Sequence, residues 1–157
     1  MTPVRVIFVC WGNICRSPMG ERVARRFLDE AGLADVEVTS AGVSDEERNN
    51  PIDPRAQRVL AKHGYTSAGH RAHRITASEI IEADLVLGFE PVHLSRMRKL
   101  APTASNLLLI TDFDPDAAPG SGVDDPWYGG PEGFEETLRA VEAAMPGVVA
   151  RLRERRL

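Results

Sequence analysis

A chain of 157 residues, 43% of them hydrophobic and 27% charged, holds enough apolar mass for one core, so a single domain over 1–157 is expected, and no run approaches the ~20 apolar residues of a membrane span. Its formal net charge of −4 speaks against nucleic-acid binding, where a basic surface supplies most of the affinity. Two cysteines, Cys10 and Cys15, cannot form a disulfide framework, and with no export signature near Met1 a cytoplasmic location is expected, export without such a signal staying open.

In chain order, Val4 to Val9 reads as a strand buried on both faces, and from Pro18 the positions Met19, Val23, Phe27 and Leu28 carry helical spacing. Val36 to Ser40 reads as a second strand. Asp53 and Pro54 open a helix as cap and first residue, RAQRVLAKH continues it, and Gly64 stops it. Thr76 and Glu79 stand at capping-box spacing before IIEA, which leads into the apolar strand Leu85 to Gly88. Pro91 to Leu100 is the next helix and Asn106 to Thr111 the fourth strand. A loop rich in Asp, Pro and Gly from Asp112 to Pro131 is long enough to suggest a functional role. The last helix starts near Glu132 and runs through Phe134, Leu138, Val141 and Met145, with Pro146-Gly147 expected to kink or break it. Its basic end, RLRERR, reads as a solvated terminus with Arg near the last carbonyls.

Strands separated by helices imply parallel pairing through right-handed crossovers. The expected fold is therefore α/β, a three-layer sandwich around a four-stranded parallel sheet with helices on both faces. In such sheets ligands bind beyond the carboxyl ends of the strands, where Cys10 falls.

The stretch CWGNICRSP, residues 10 to 18, joins a strand end, a short loop and a helix start. Loop N–H groups and the positive end of a helix converge there on an anion, and the motif lacks the GxxxxGK[ST] pattern of nucleotide loops. Gly12 and Asn13 are residue types that tolerate positive φ, Ser17 can cap the helix, and Pro18 suits its first position. The spacing C-x5-R puts the Cys10 thiol at the bottom of the cradle and the Arg16 guanidinium at its rim. Such surroundings favour the thiolate, a nucleophile at neutral pH, while Arg16 can grip two phosphate oxygens at once.

Expelling an alkoxide or phenoxide from phosphorus also needs a proton donor. The long loop offers VDDPWYGG, in which Pro126 biases Asp125 toward an extended conformation and Trp127 and Tyr128 supply aromatic walls. An exposed aspartate is only about 0.1% protonated at pH 7, so this role calls for partial burial or a bound dianion, and an acidic optimum is expected. Trp11, directly after the nucleophile, and Trp127 suggest a deep slot for a flat ring. His70 and His73 lack further ligands at metal-binding spacing, so neither metal nor cofactor is expected.

These residues resemble the low-molecular-weight protein tyrosine phosphatase family, in its bacterial branch. The resemblance rests on VIFVCWGNICRSPMGE, TSAGV, P-x-D-x-R-A from Pro51 to Ala56, GHRAHRIT, and DDPWYGG followed by FEE, which together span nearly the whole chain. It implies sheet order 2-1-3-4 and a phosphocysteine formed on Cys10. Arg16 would bind phosphate, and Asp125 would protonate the leaving oxygen and then activate water. By the same resemblance Asn13 holds the loop in a strained shape, Ser17 donates to the Cys10 thiolate, and Ser40 and His70 brace the loop, which also includes Trp11, Gly12, Ile14 and Cys15. Cys15 has a plain packing role, and the resemblance adds trapping of oxidised Cys10 as a disulfide. Two departures stand out. SDEERNN replaces an aromatic-bearing segment beside the site, and Trp11 replaces a smaller residue. The implied partner is a phosphotyrosine protein or a small aryl phosphate, with no nucleic acid or membrane partner and a monomeric or weakly self-associating chain.

Three rival readings remain. Thiol-dependent arsenate reduction shares the first loop but needs later cysteines, which this chain lacks. Phosphoarginine phosphatases carry threonine where this chain has Ile14, whose apolar side chain suits an aryl group. A silent phosphate-binding module would need neither Cys10 nor Asp125.

Overall fold

The computed structural model describes residues 3–156. Four strands, β1 (Arg5–Cys10), β2 (Glu37–Gly42), β3 (Leu85–Gly88) and β4 (Leu107–Leu109), form one parallel sheet in the order β2-β1-β3-β4. Five helices connect or follow them: α1 (Arg16–Glu30), α2 (Pro54–Lys62), α3 (Ala77–Glu82), α4 (Pro91–Leu100) and α5 (Glu132–Arg156). Among the described residues no helix is long and apolar enough to cross a membrane.

Side chains alternate across a strand, and β1 divides the core accordingly. Val6, Phe8 and Cys10 join one buried cluster with Met19, Val23 and Leu28 of α1, Leu60 of α2, and Phe134, Leu138 and Val141 of α5. Ile7 and Val9 join the other, with Ile80 of α3 and Leu94 and Met97 of α4. Helices therefore cover both faces of the sheet, as expected for three layers. The register pairs Cys10 with Gly42 and Val9 with Gly88, so the carboxyl ends of three neighbouring strands meet beside the loop after β1.

Three local expectations are corrected. Helix α1 begins at Arg16 with Cys15 in the cap position and no side-chain cap. Ser17 lies inside the first turn, where its hydroxyl turns to the thiol and to the Ala41 carbonyl at 3.2 Å instead of capping. The fourth strand is three residues long because the Asp112 carboxylate accepts from Leu109 N at 3.0 Å and folds Ile110–Phe113 into a 3-10 turn. Helix α5 runs unbroken through Pro146. Its buried stripe, Val141, Ala144, Met145, Val148 and Leu152, spans the proline on both sides, and that packing outweighs one lost backbone bond. Gly147 allows the close approach there, since a Cβ would stand 2.7 Å from the Phe113 carbonyl oxygen.

Candidate active site

The loop between β1 and α1 is held from below by side-chain hydrogen bonds. Asn13 is fully buried with φ of 62°, a left-handed conformation that Asn tolerates better than most residues. Its Nδ2 donates to Ser17 Oγ at 2.8 Å and Ser40 Oγ at 3.1 Å, and its Oδ1 accepts from His73 N at 3.0 Å. His70 Nε2 donates to the Asn13 carbonyl at 2.6 Å, which fixes the proton on that nitrogen. Burial, only partly offset by this bond, pushes the His70 imidazole below the usual histidine range. Ser40 Oγ in turn donates to Glu21 Oε1 at 3.0 Å. Gly12 differs from expectation. It needs no positive φ, and a Cβ there would meet Glu47 Cγ at 3.3 Å. At the loop's edge Gly42 is indispensable, because a Cβ would stand 2.7 Å from the Trp11 carbonyl oxygen.

Cys10 is 3% exposed. Its Sγ lies 3.0 Å from Ser17 Oγ and 3.3 Å from Ser17 N, so that one amide of the first turn of α1 points at sulfur. A hydroxyl, an amide and a helix N-terminus all favour negative charge there. Among the described residues, the N–H groups of residues 13–16 meet no protein acceptor, as an anion cradle requires. Cys15 is a free thiol like Cys10. Burial first, then the charges of Asp53, Cys10 and Asp125, push it well above the ordinary thiol range, against a smaller opposing effect of Arg55. Cys15 therefore stays protonated.

Arg16 is 2% exposed, and its Nη1 is anchored by the Glu90 carboxylate and by the Val123 carbonyl at 2.8 Å. Nε and Nη2 have no hydrogen-bond acceptor among the described residues, and Nη2 lies 3.7 Å from Asp125 Oδ2. One edge of the fork is fixed and the other faces the cavity. Asp125 caps the 3-10 turn Pro126–Tyr128, its Oδ1 accepting from Trp127 N at 3.0 Å.

These groups surround a cavity of about 200 Å³ lined by Cys10, Trp11, Gly12, Ile14, Cys15, Arg16, Glu46, Glu47, Asp125, Trp127 and Tyr128. The three expected aromatics are all at its rim, though not alike. Arg96 stacks on Trp11 at 4.3 Å from the ring centroid, Arg55 stacks on Trp127 at 4.8 Å, and Tyr128 is 87% exposed. Asn13, Ser17, Ser40 and His70 lie beneath the loop. Asp124 is exposed and does not line the cavity. His73 bonds Glu79 at 2.8 Å, and among the described residues no group of three or more metal-ligating side chains assembles.

Sequence reasoning missed Glu90, Glu21 and the amide of His73, and it placed SDEERNN beside the site without giving Glu46 and Glu47 a role. Glu90 could have been found by asking which polar residue follows the carboxyl end of β3, where ligands of such sheets bind.

A thiol under a ring of free amides, at the carboxyl edge of a doubly wound sheet, marks the class of proteins whose strand-end loop is built to hold a phosphate-like anion. The family model described as low molecular weight phosphotyrosine protein phosphatase matches residues 5–157, and the chain belongs to that family. The low molecular weight protein-tyrosine-phosphatase of Streptomyces coelicolor is 46% identical over 155 residues, covering 96% of this chain and 94% of that one. The low molecular weight protein-tyrosine phosphatase A of Mycobacterium tuberculosis is 39% identical over 148 residues, covering 93% and 90%. Among solved structures, the Entamoeba histolytica protein tyrosine phosphatase with Hepes in the active site has a TM-score of 0.90 at 25% identity, covering 98% of this chain and 99% of that one. The tyrosine phosphatase Wzb of Escherichia coli K30 in complex with sulphate has a TM-score of 0.84 at 30% identity, covering 96% and 99%.

Proposed function

We propose that this chain hydrolyses phosphotyrosine or related aryl phosphates through a phosphocysteine. The observation that carries the reading is the Cys10 sulfur, 3.3 Å from an amide at the start of α1, in one cavity with Arg16 and Asp125. Cys10 Sγ attacks phosphorus in line, the S–P bond forms as the P–O bond breaks, and Asp125 gives its proton to the departing phenoxide. Water then attacks the phosphocysteine while Asp125 takes a proton back, and the thiolate leaves toward the Ser17 hydroxyl. Arg16, with Nη1 already occupied, offers Nε and Nη2 to two equatorial oxygens as their charge grows. The sulfonate buffer in the active site of the Entamoeba relative supports a site shaped for tetrahedral anions. Ile14 and the aromatic rim favour a flat aryl group.

The test is turnover by Cys10→Ser. Phosphotyrosine hydrolysis should vanish while a phosphotyrosine peptide still binds, and continued hydrolysis would overturn the nucleophile. Phosphoarginine assayed beside phosphotyrosine should turn over more slowly, and the reverse order would replace the aryl reading.

A further inference from the structure

The motif P-x-D-x-R-A at Pro51 to Ala56 touches neither the thiol nor the phosphate grip, yet it ties the two halves of the site together. Asp53 N donates to the Ile14 carbonyl at 2.8 Å, joining α2 to the phosphate loop. The Asp53 carboxylate caps α2 through Arg55 N at 2.8 Å and holds the Arg55 guanidinium with both oxygens, Oδ1 to Nε and Oδ2 to Nη2, each at 3.0 Å. Burial alone would raise the Asp53 carboxyl, but the bonds from Arg55 outweigh it and keep the group below the usual range, hence charged. The remaining arm of Arg55 reaches the other half of the site. Nη1 donates to the Trp127 carbonyl at 3.3 Å, and the guanidinium plane sits between the Trp127 and Phe134 rings, 4.8 Å from each centroid. Trp127 N is the group that orients Asp125 Oδ1.

We infer that Arg55 is a positioning residue for the proton donor: through Trp127 it holds the Asp125 carboxyl over the cavity, in register with the loop that Asp53 anchors. Asp125 lies on a long irregular segment from 114 to 131 with one short 3-10 turn, so a clamp from a regular helix supplies the order its own backbone lacks. Lysine cannot replace it, since a point charge gives neither the two-pronged grip on Asp53 nor the stack between rings. The inference rests on Asp125 as the acid of the proposed reaction.

The test compares Arg55→Lys, Arg55→Met and Asp125→Asn on aryl phosphates of rising leaving-group pKa, with inhibition by inorganic phosphate and a urea midpoint for each. Arg55→Lys should lose about tenfold in kcat/KM on phenyl phosphate and much less on dinitrophenyl phosphate, a fraction of the roughly 100- to 10,000-fold a general acid supplies, kcat/KM being the quantity that ends at expulsion of the leaving group. Phosphate inhibition should stay within about twofold, because Cys10 and Arg16 are untouched. Arg55→Met, which keeps much of the stem packing, should show the same leaving-group slope. In the Asp125→Asn background Arg55→Lys should add no further slope. Equal loss on both substrates in the Arg55 variants, or lost phosphate inhibition, beside a steep Asp125→Asn would overturn this inference alone. A flat Asp125→Asn would overturn the acid assignment and the inference with it.

Discussion

Asn13 shows how much one side chain carries. It occupies a conformation with φ of 62° and makes three hydrogen bonds from a fully buried position. Asn13→Ala should cost about 1 kcal/mol for each lost bond and roughly 1–2 kcal/mol more for a methyl side chain in left-handed backbone. Asn13→Gly loses the same bonds but is at ease there, so in urea unfolding it should be less destabilised than Asn13→Ala by about 1 kcal/mol, with kcat reduced in both. Equal midpoints would show that the loop bears no backbone strain at this position. Residue identity in the sequence pointed to Asn13, Ser17 and Cys10. Ser40 came only through the family resemblance, while Glu21 and the His73 amide come from two further segments, and nothing local in their sequence marks a hydrogen bond made across such separations. Arg16 was legible as part of the loop after β1, whereas the Glu90 carboxylate that orients it was not, because a glutamate before a proline reads first as a helix start.

At the scale of elements, periodicity and caps told more. The capping box of Thr76 and Glu79 and the bounds Pro91–Leu100 of α4 are as the pattern expects, since both depend on contacts within a few residues. Helix α5 ran past its proline because the core, not local propensity, decided it. The segment SDEERNN is the element whose role could not be read. Its Glu46 and Glu47 form one wall of the cavity, Glu47 being held by Asn50 Nδ2 at 2.6 Å. Acidic groups at the mouth of a phosphate site repel acidic peptides and attract basic ones, by roughly 0.2–1 kcal/mol for each exposed pair. Phosphotyrosine peptides with Lys or Arg beside the tyrosine should thus have a few-fold higher kcat/KM than acidic ones. Glu46→Gln with Glu47→Gln should level that difference, as should added salt. A preference unchanged in the double variant would remove this wall from substrate choice.

Across the whole molecule, titration sets stability against the acidic optimum expected of the chemistry. His93 is fully buried, its Nδ1 accepts from Phe89 N at 3.1 Å and Glu90 N at 3.0 Å, and its Nε2 has no partner among the described residues, with Glu90 Oε1 4.0 Å away. Burial first, and then the Arg16 charge, push the imidazole down to about 3. Below about pH 6.5 the unfolded chain binds a proton here that the native state refuses until about pH 3, so stability falls as pH drops through that window, by at most about 1.4 kcal/mol per unit. His70, also lowered by burial, acts in the same direction. His73 acts oppositely. Its bond to Glu79 raises it against a smaller burial effect, so its contribution is present below about pH 6.5 and lost as pH rises through its native value. Glu79 is lowered by His73 and Thr76 despite burial, and contributes above about pH 4.5. Because these effects partly cancel, the slope of the native protein alone identifies no single residue, and a difference measurement is required. Urea midpoints at pH 7 and pH 5 should fall by more in the native chain than in His93→Gln, the gap reaching about 2 kcal/mol. The variant is less stable at pH 7 because a flexible amide replaces a well-packed ring. Parallel losses in the two proteins would mean that His93 takes up its proton in the fold and that the core beside Arg16 admits charge.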